Sequence, residues 1–167
     1  SMQTRLKDRL KELNTELEAR KAELEDARKG IVHFPKQTVE LKRRLEEAFE
    51  SRGLDAHVVI VGAETQILND KWRNAIEGYM DSQKKNLLVD EKYFEDAEPV
   101  MKAYRAELKR KGIPLKAQVV DVRKVRQKME GKTVRPGTLA CETSSDDERV
   151  DLYVKWILGN VHECVTV

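Results

Sequence analysis

Between Arg5 and Lys29, Leu6, Leu10, Leu13, Leu17, Leu24 and Ala27, followed by Ile31, recur at alternating steps of four and three residues, interrupted by Arg20. A seam that repeats every 3.5 residues is the pattern of a coiled coil, and a seam of this length needs an apolar partner to leave water. Eight Lys or Arg and seven Asp or Glu fill the other faces of the segment. Its roughly 25 residues make an arm of about 38 Å as an α-helix. The alternative is an amphipathic helix packed on its own domain, which is disfavoured because so few positions off the seam are small or apolar. Gly30 favours a helix C-terminus, and Pro35 holds Phe34 extended. The expected organisation is a coiled-coil arm over 1–33, a connecting helix over 34–53 and a sheet-containing core over 54–167.

Thr38 is a candidate cap for the connecting helix, whose apolar stripe is Val39, Leu41, Leu45, Ala48 and Phe49. Val58, Val59, Ile60 and Val61, closed by Gly62, form a β-branched run typical of a buried strand. A helix follows, capped by Asn69 or Asp70, with Trp72, Ala75, Ile76 and Tyr79 on one face and Asp81-Ser82 at its end. Leu87, Leu88 and Val89 supply a second strand, and this order predicts a parallel pair through a right-handed crossover.

Beyond Val89 the spacing of Tyr93, Phe94, Ala97, Met101, Tyr104 and Leu108 predicts a helix over 91–111, with Pro99 as a kink or boundary. Ala117 to Val122 reads as a third strand, and Val122, Val125 and Met129 as a short helix. Pro136-Gly137 is a turn, and Leu139 to Cys141 a brief edge strand. Ser144 or Ser145 is placed to cap a helix burying Val150, Val154, Ile157 and Leu158, which Gly159 ends. Val161, Val165 and Val167 alternate as in a half-buried last strand. The predicted fold class is α/β (α+β), a small mixed sheet packed with helices behind a long coiled-coil helix.

A chain of 167 residues that is 40% hydrophobic and 37% charged supports one moderate core plus an appendage outside it. There is no run of about eighteen apolar residues, so no membrane span is expected. Ser1-Met2 resembles a cleavage scar ahead of an internal fragment, and a cytoplasmic location is the default. Cys141 and Cys164 lack metal-ligand spacing and are expected to be reduced in a core. No phosphate-binding glycine loop, His-Glu metal motif or Ser-His-Asp order occurs, and His33, His57 and His162 are scattered singly. The expectation is a non-catalytic chain without cofactor or metal. Trp72 and Trp156 both fall on apolar helix faces and are expected to be core anchors.

Charge is unevenly distributed. Between Lys102 and Arg135, twelve Lys or Arg face three acids, a local net of +9 within a chain whose total is only +2. Lys109, Arg110, Lys111 and Lys116 form one group, and Arg123, Lys124, Arg126, Lys128, Lys132 and Arg135 another. Converging on one face, they would neutralise several phosphates of double-stranded DNA without reading its sequence. A solvated surface is the plainer reading. No aromatic residue interleaves with these cations in sequence, so single-strand stacking is not indicated.

Two stretches resemble the hinge domain of SMC (structural maintenance of chromosomes) proteins. One is Val58 to Asp90, with Asp70-Lys71-Trp72-Arg73-Asn74-Ala75-Ile76-Glu77 followed by Leu87-Leu88-Val89-Asp90; the other is Tyr153-Val154-Lys155-Trp156-Ile157-Leu158-Gly159-Asn160-Val161. With the heptad arm and the Phe34-Pro35 joint, the spelling is most similar to the SMC-like subunit of MukB-like (Mks or Wadjet-type) bacterial condensins, over about 34 to 167. Asp81-Ser82 stands where ordinary hinges have a Gly-Gly pair, so a shortened hinge of the Muk kind is implied. The resemblance implies a nucleoid-associated homodimerisation module, in a parent ATPase that organises DNA or acts against plasmids. It also implies an antiparallel coiled-coil partner helix from the same parent chain. Strand edges are the candidate dimer contacts, carried by Leu87, Val89, Gly159, Val161 and Val165. The rival reading makes DNA binding by the basic segment primary.

Overall fold

The computed structural model describes residues 1–28 and 33–163. The chain divides into two compact units, Ser1–His33 and Phe34–Val167. The first contains one helix, α1 (Met2–Arg28). Its seam lies open: Leu6, Leu10, Leu17 and Leu24 are at least half exposed, and Leu13, the least exposed of the five, still shows 44% of its surface. Exposed pairs such as Arg9–Glu12 and Lys21–Glu18 decorate the other faces and add only tenths of a kcal/mol each. Gly30 and Ile31 lie outside the described residues.

The second unit runs α2 (Lys36–Ser51), β1 (Val59–Ile60), β2 (Gln66–Ile67), α3 (Arg73–Tyr79), β3 (Leu87–Leu88), α4 (Phe94–Arg110), α5 (Val122–Met129), β4 (Thr143–Ser144) and α6 (Glu148–Leu158), with single 3-10 turns between several of them. It is helix-rich, with two small antiparallel sheets. β1 pairs with β3, placing Val59 opposite Leu88 and Ile60 opposite Leu87. β2 pairs with β4. The parallel β1–β3 pair predicted from sequence is therefore corrected to an antiparallel one. The 61–86 excursion leaves and returns at the same end of the pair, where the Val61 N–H donates to the Asn86 carbonyl at 2.9 Å. Its helix α3 has seven residues, about 10 Å at 1.5 Å per residue, and it does not carry the chain back along the sheet. A parallel connection does exist one step later. After the 17 residues of α4 the chain returns beside β3, and Leu87 bridges Val119 in parallel, with Leu87 N–H to Gln118 O and Val120 N–H to Leu87 O both at 2.9 Å.

Both faces of this small sheet are covered, which is why β1 and β3 read as continuous apolar runs rather than alternating ones. Val58, Ile60, Leu87, Val89 and Val119 face Leu41, Leu45 and Phe49 of α2 and Ala97, Met101, Tyr104 and Leu108 of α4. Leu88 and Val61 face the other way, onto Ile76 of α3, Val122 and Val125 of α5, and Val150, Val154 and Leu158 of α6. Burying a Leu, Ile or Val side chain stabilises by about 1.5–3 kcal/mol. These two layers hold the unit together.

Several local expectations shift by one to three residues or change element type. Thr38 is not the cap of α2; Pro35 occupies that position, and Thr38 is buried in the first turn. Val39 falls outside the 38, 41, 45, 49 stripe and is 52% exposed. Met80, four residues after Ile76, takes the buried place expected for Tyr79, which is exposed. α4 runs through Pro99 without a break. Leu139–Cys141 belongs to a 3-10 turn, not an edge strand. Asp147, not Ser144 or Ser145, caps α6, its carboxylate accepting from the backbone N–H of Arg149 and Val150. Asn69 does cap the Asp70–Trp72 turn, accepting from Lys71 N–H at 3.0 Å. Gly137, at φ +81°, supplies the left-handed residue of the Pro136-Gly137 turn. Gly62 has no room for a side chain, since an added Cβ would stand 2.9 Å from the Phe34 ring and 3.0 Å from the Lys84 carbonyl.

Candidate functional site

Leu87 and Val89 are 0% and 1% exposed, and Leu87 is bonded to neighbours on both sides, to β1 and to the Val119 segment. Neither is an edge, so the expectation that they form a dimer contact is withdrawn. Gly159 and Val161 are half-buried at the C-terminal end of α6, and Val165 lies outside the described residues. The Val161–Glu163 segment pairs with Gly137–Leu139 through an antiparallel bridge, Thr138 to His162. Its flanking bonds run from Leu139 N–H to Val161 O at 2.8 Å and from Glu163 N–H to Gly137 O at 2.9 Å. In such a non-hydrogen-bonded pair the N–H and C=O of His162 point away from Thr138. They find no backbone partner among the described residues, and His162 is exposed.

The basic segment separates into paired and unpaired cations. Arg126 is held between Glu91 of the turn before α4 and Glu148 of α6, with Arg126 Nη1 to Glu148 Oε1 at 2.7 Å. That guanidinium holds the Glu148 carboxyl below its ordinary value. Arg123 bonds Asp121 at 3.2 Å and lies 3.6 Å from Glu95. Lys111 is 3.9 Å from Glu107. Glu91, Glu95 and Glu148, from outside the segment, thus neutralise part of the +9 excess. Lys109, Arg110, Lys116, Lys124, Lys132 and Arg135 are exposed and have no acidic partner within 4 Å among the described residues. Lys111 lines a cleft with α2, beside Val39 and Tyr104, whereas Lys132 and Arg135 line another with α6; the two clefts share no residue.

The α6 cleft is about 380 Å³ and is lined by Met129, Lys132, Arg135, Lys155, Trp156 and Gly159 among others. The expectation that Trp156 is a core anchor is corrected: it is 37% exposed, whereas Trp72 is buried. The difference follows from α6, whose buried residues Val150, Tyr153, Val154 and Leu158 leave position 156 at the stripe's margin. The Lys128 ammonium lies 4.9 Å from the Trp156 ring centroid, and the Tyr153 ring packs at 6.1 Å. Lys155 is occupied in the wall, donating to the Ala140 carbonyl at 2.7 Å and to the Thr143 carbonyl. The Arg135 carbonyl accepts from Thr138 Oγ1 at 2.8 Å and from Cys141 Sγ at 3.2 Å, which fixes the backbone at the rim. Cys141 is itself exposed rather than in a core, and Cys164 lies outside the described residues. Sequence reasoning missed this cleft because its aromatic wall comes from α6, 21 residues after Arg135 in the chain.

Among the described residues, no three His, Cys, Asp or Glu side chains gather as a metal site, and no helix is long and apolar enough to cross a membrane. No family model, curated protein or solved structure matches the chain.

Proposed function

We propose that the chain is a hinge-like dimerisation module of an SMC-type, MukB-like DNA-organising ATPase, acting by association and not by catalysis. The observation that carries this reading is an open leucine seam on a 27-residue helix leading into a separate helix-sheet-helix unit. The seam suits a returning helix of the parent chain, and the outward-facing backbone of His162 suits edge pairing with a second copy, beside Gly159 and Val161. Light scattering across micromolar concentrations tests it. The expected mass at the upper end is twice the 19.3 kDa of one chain, and a single-chain mass throughout contradicts it.

The unpaired cations support a second reading, double-stranded DNA binding through Lys109, Arg110, Lys116, Lys124, Lys132 and Arg135. Its signature is affinity that falls steeply with salt and is indifferent to sequence.

A further inference from the structure

We infer that the α6 cleft is a subsite for one unpaired nucleotide, with Trp156 stacking the base and Lys132 and Arg135 taking the adjoining phosphate. Three features combine there. A tryptophan ring is left 37% exposed in a unit that buries its other tryptophan. The cleft, at about 380 Å³, falls in the range of small-molecule sites, about 300–1,000 Å³. Among the described residues its lining contains two exposed cations and no acid.

The chemistry favours a flat, anionic ligand. A nucleobase offers a π face to the indole, and stacking of this kind is indifferent to which base is present. The exposed Lys128 side chain lies over the Trp156 ring, 4.9 Å from its centroid, so that π face already takes a cation, and the base stacks there as the ammonium moves off it toward the phosphate. Lys155 is not free to contact the ligand, because its ammonium donates to the Ala140 and Thr143 carbonyls and pairs with Asp151 at 3.7 Å; these bonds tie α6 to the Leu139–Glu142 turn and to β4. The rim is equally fixed: the Lys132 N–H donates to the Met129 carbonyl at 3.0 Å, and the Arg135 carbonyl is doubly bonded to Thr138 and Cys141. The fixed backbone keeps both cationic side chains at the rim of the cleft, and each is ordered on binding an anion. The subsite goes beyond the duplex reading, to which it adds an unpaired-base contact of its own, and it stands whether or not the chain dimerises. The unpaired nucleotide can belong to a single strand or be free in solution.

The test uses the full chain carrying Trp72→Phe, so that Trp156 is the only tryptophan and its emission is selectively excited, titrated with a 12-nucleotide oligothymidylate, thymidine 5′-monophosphate and a 20-base-pair duplex. Quenching by the oligonucleotide is expected. A separate fluorescence-anisotropy titration of labelled oligonucleotide should show affinity falling roughly 5- to 150-fold with Trp156→Ala, the range for loss of one stacked base, and recovering largely with Trp156→Phe. Lys132→Ala and Arg135→Ala should each flatten the salt dependence. Quenching by the monophosphate as well identifies a self-sufficient nucleotide pocket; quenching by the oligonucleotide alone identifies the strand. Unchanged oligonucleotide affinity in Trp156→Ala, or no oligonucleotide binding, overturns the proposal. Duplex binding that persists in that case leaves the charge-based DNA reading intact. Trp156 lies outside the buried stripe of α6, and circular dichroism confirms that its variants fold.

Discussion

Leu87→Ala is the substitution that most sharply separates a core strand from a docking edge. Leu87 is 0% exposed, opposite Ile60 and bridged to Val119, at the middle of the sheet that both helical layers cover. Removing three carbons costs about 2.4 kcal/mol at about 0.8 kcal/mol for each buried methylene. A cavity between α2, α4 and the sheet cannot fully collapse, because the neighbouring side chains are fixed by two sets of contacts, so a total of about 3 kcal/mol is expected within the usual 2–5. For a unit of this size that corresponds to a drop in melting temperature of roughly 10 °C. Urea unfolding followed by tryptophan fluorescence reads the loss as a lower midpoint at unchanged slope, independent of protein concentration. Leu17→Ala on the open seam of α1 is the control and should change the unfolding of the second unit by less than about 0.5 kcal/mol. A loss below about 1 kcal/mol for Leu87→Ala, or one that vanishes on dilution, would show that residue 87 is not a core position.

Asp147→Ala removes the cap of α6 and should cost about 1 kcal/mol in the same unfolding assay. Gly62→Ala should destabilise measurably, because the new methyl meets the Phe34 ring and the Lys84 carbonyl, while Gly78→Ala, with open space around it, should not. Acid should weaken the second unit in a defined window. The Arg43 and Arg44 guanidiniums lower the Glu40 carboxyl to about 2, Arg44 lowers Glu107, and Arg126 lowers Glu148. A carboxylate whose value is depressed on folding contributes stability that is complete above its unfolded value, near 4.5, and is lost as pH falls through the folded one. Urea midpoints should therefore be flat from pH 7 to about 5 and fall between about 4.5 and 2; a midpoint already falling from pH 7 to 6 would point to other groups. Replacing Lys109 and Arg110 by Glu should weaken duplex binding in filter or anisotropy assays, and unchanged affinity would remove the α4 end from any DNA surface.

Periodicity carried the helices because their buried stripes are long: Leu41, Leu45 and Phe49, or Ala97, Met101, Tyr104 and Leu108, name their own faces. It failed where one position decides between neighbours, as with Thr38 and Val39 or Tyr79 and Met80, since a helix turn offers two candidates and packing chooses. Strand direction was not legible at all. Two-residue strands buried on both faces carry no alternation, and what sets β1 against β3 is the Val61–Asn86 closure, a backbone bond that no side chain announces. The candidate site was legible only in its charges. Its aromatic wall, and the acids Glu91, Glu95 and Glu148 beside Arg123 and Arg126, come from elements distant in sequence, so local charge counting overstated the free cations and Trp156 was assigned to the core.

Sedimentation velocity of a chain whose seam has been made polar, Leu10→Lys with Leu17→Lys, separates association through the second unit from association through the arm. A hinge-like module predicts that this variant still forms a dimer across micromolar concentrations, with its contact in the second unit. A variant that sediments as a single 19.3 kDa chain at every concentration, while the unsubstituted chain dimerises, would place all association in the coiled coil and contradict the hinge.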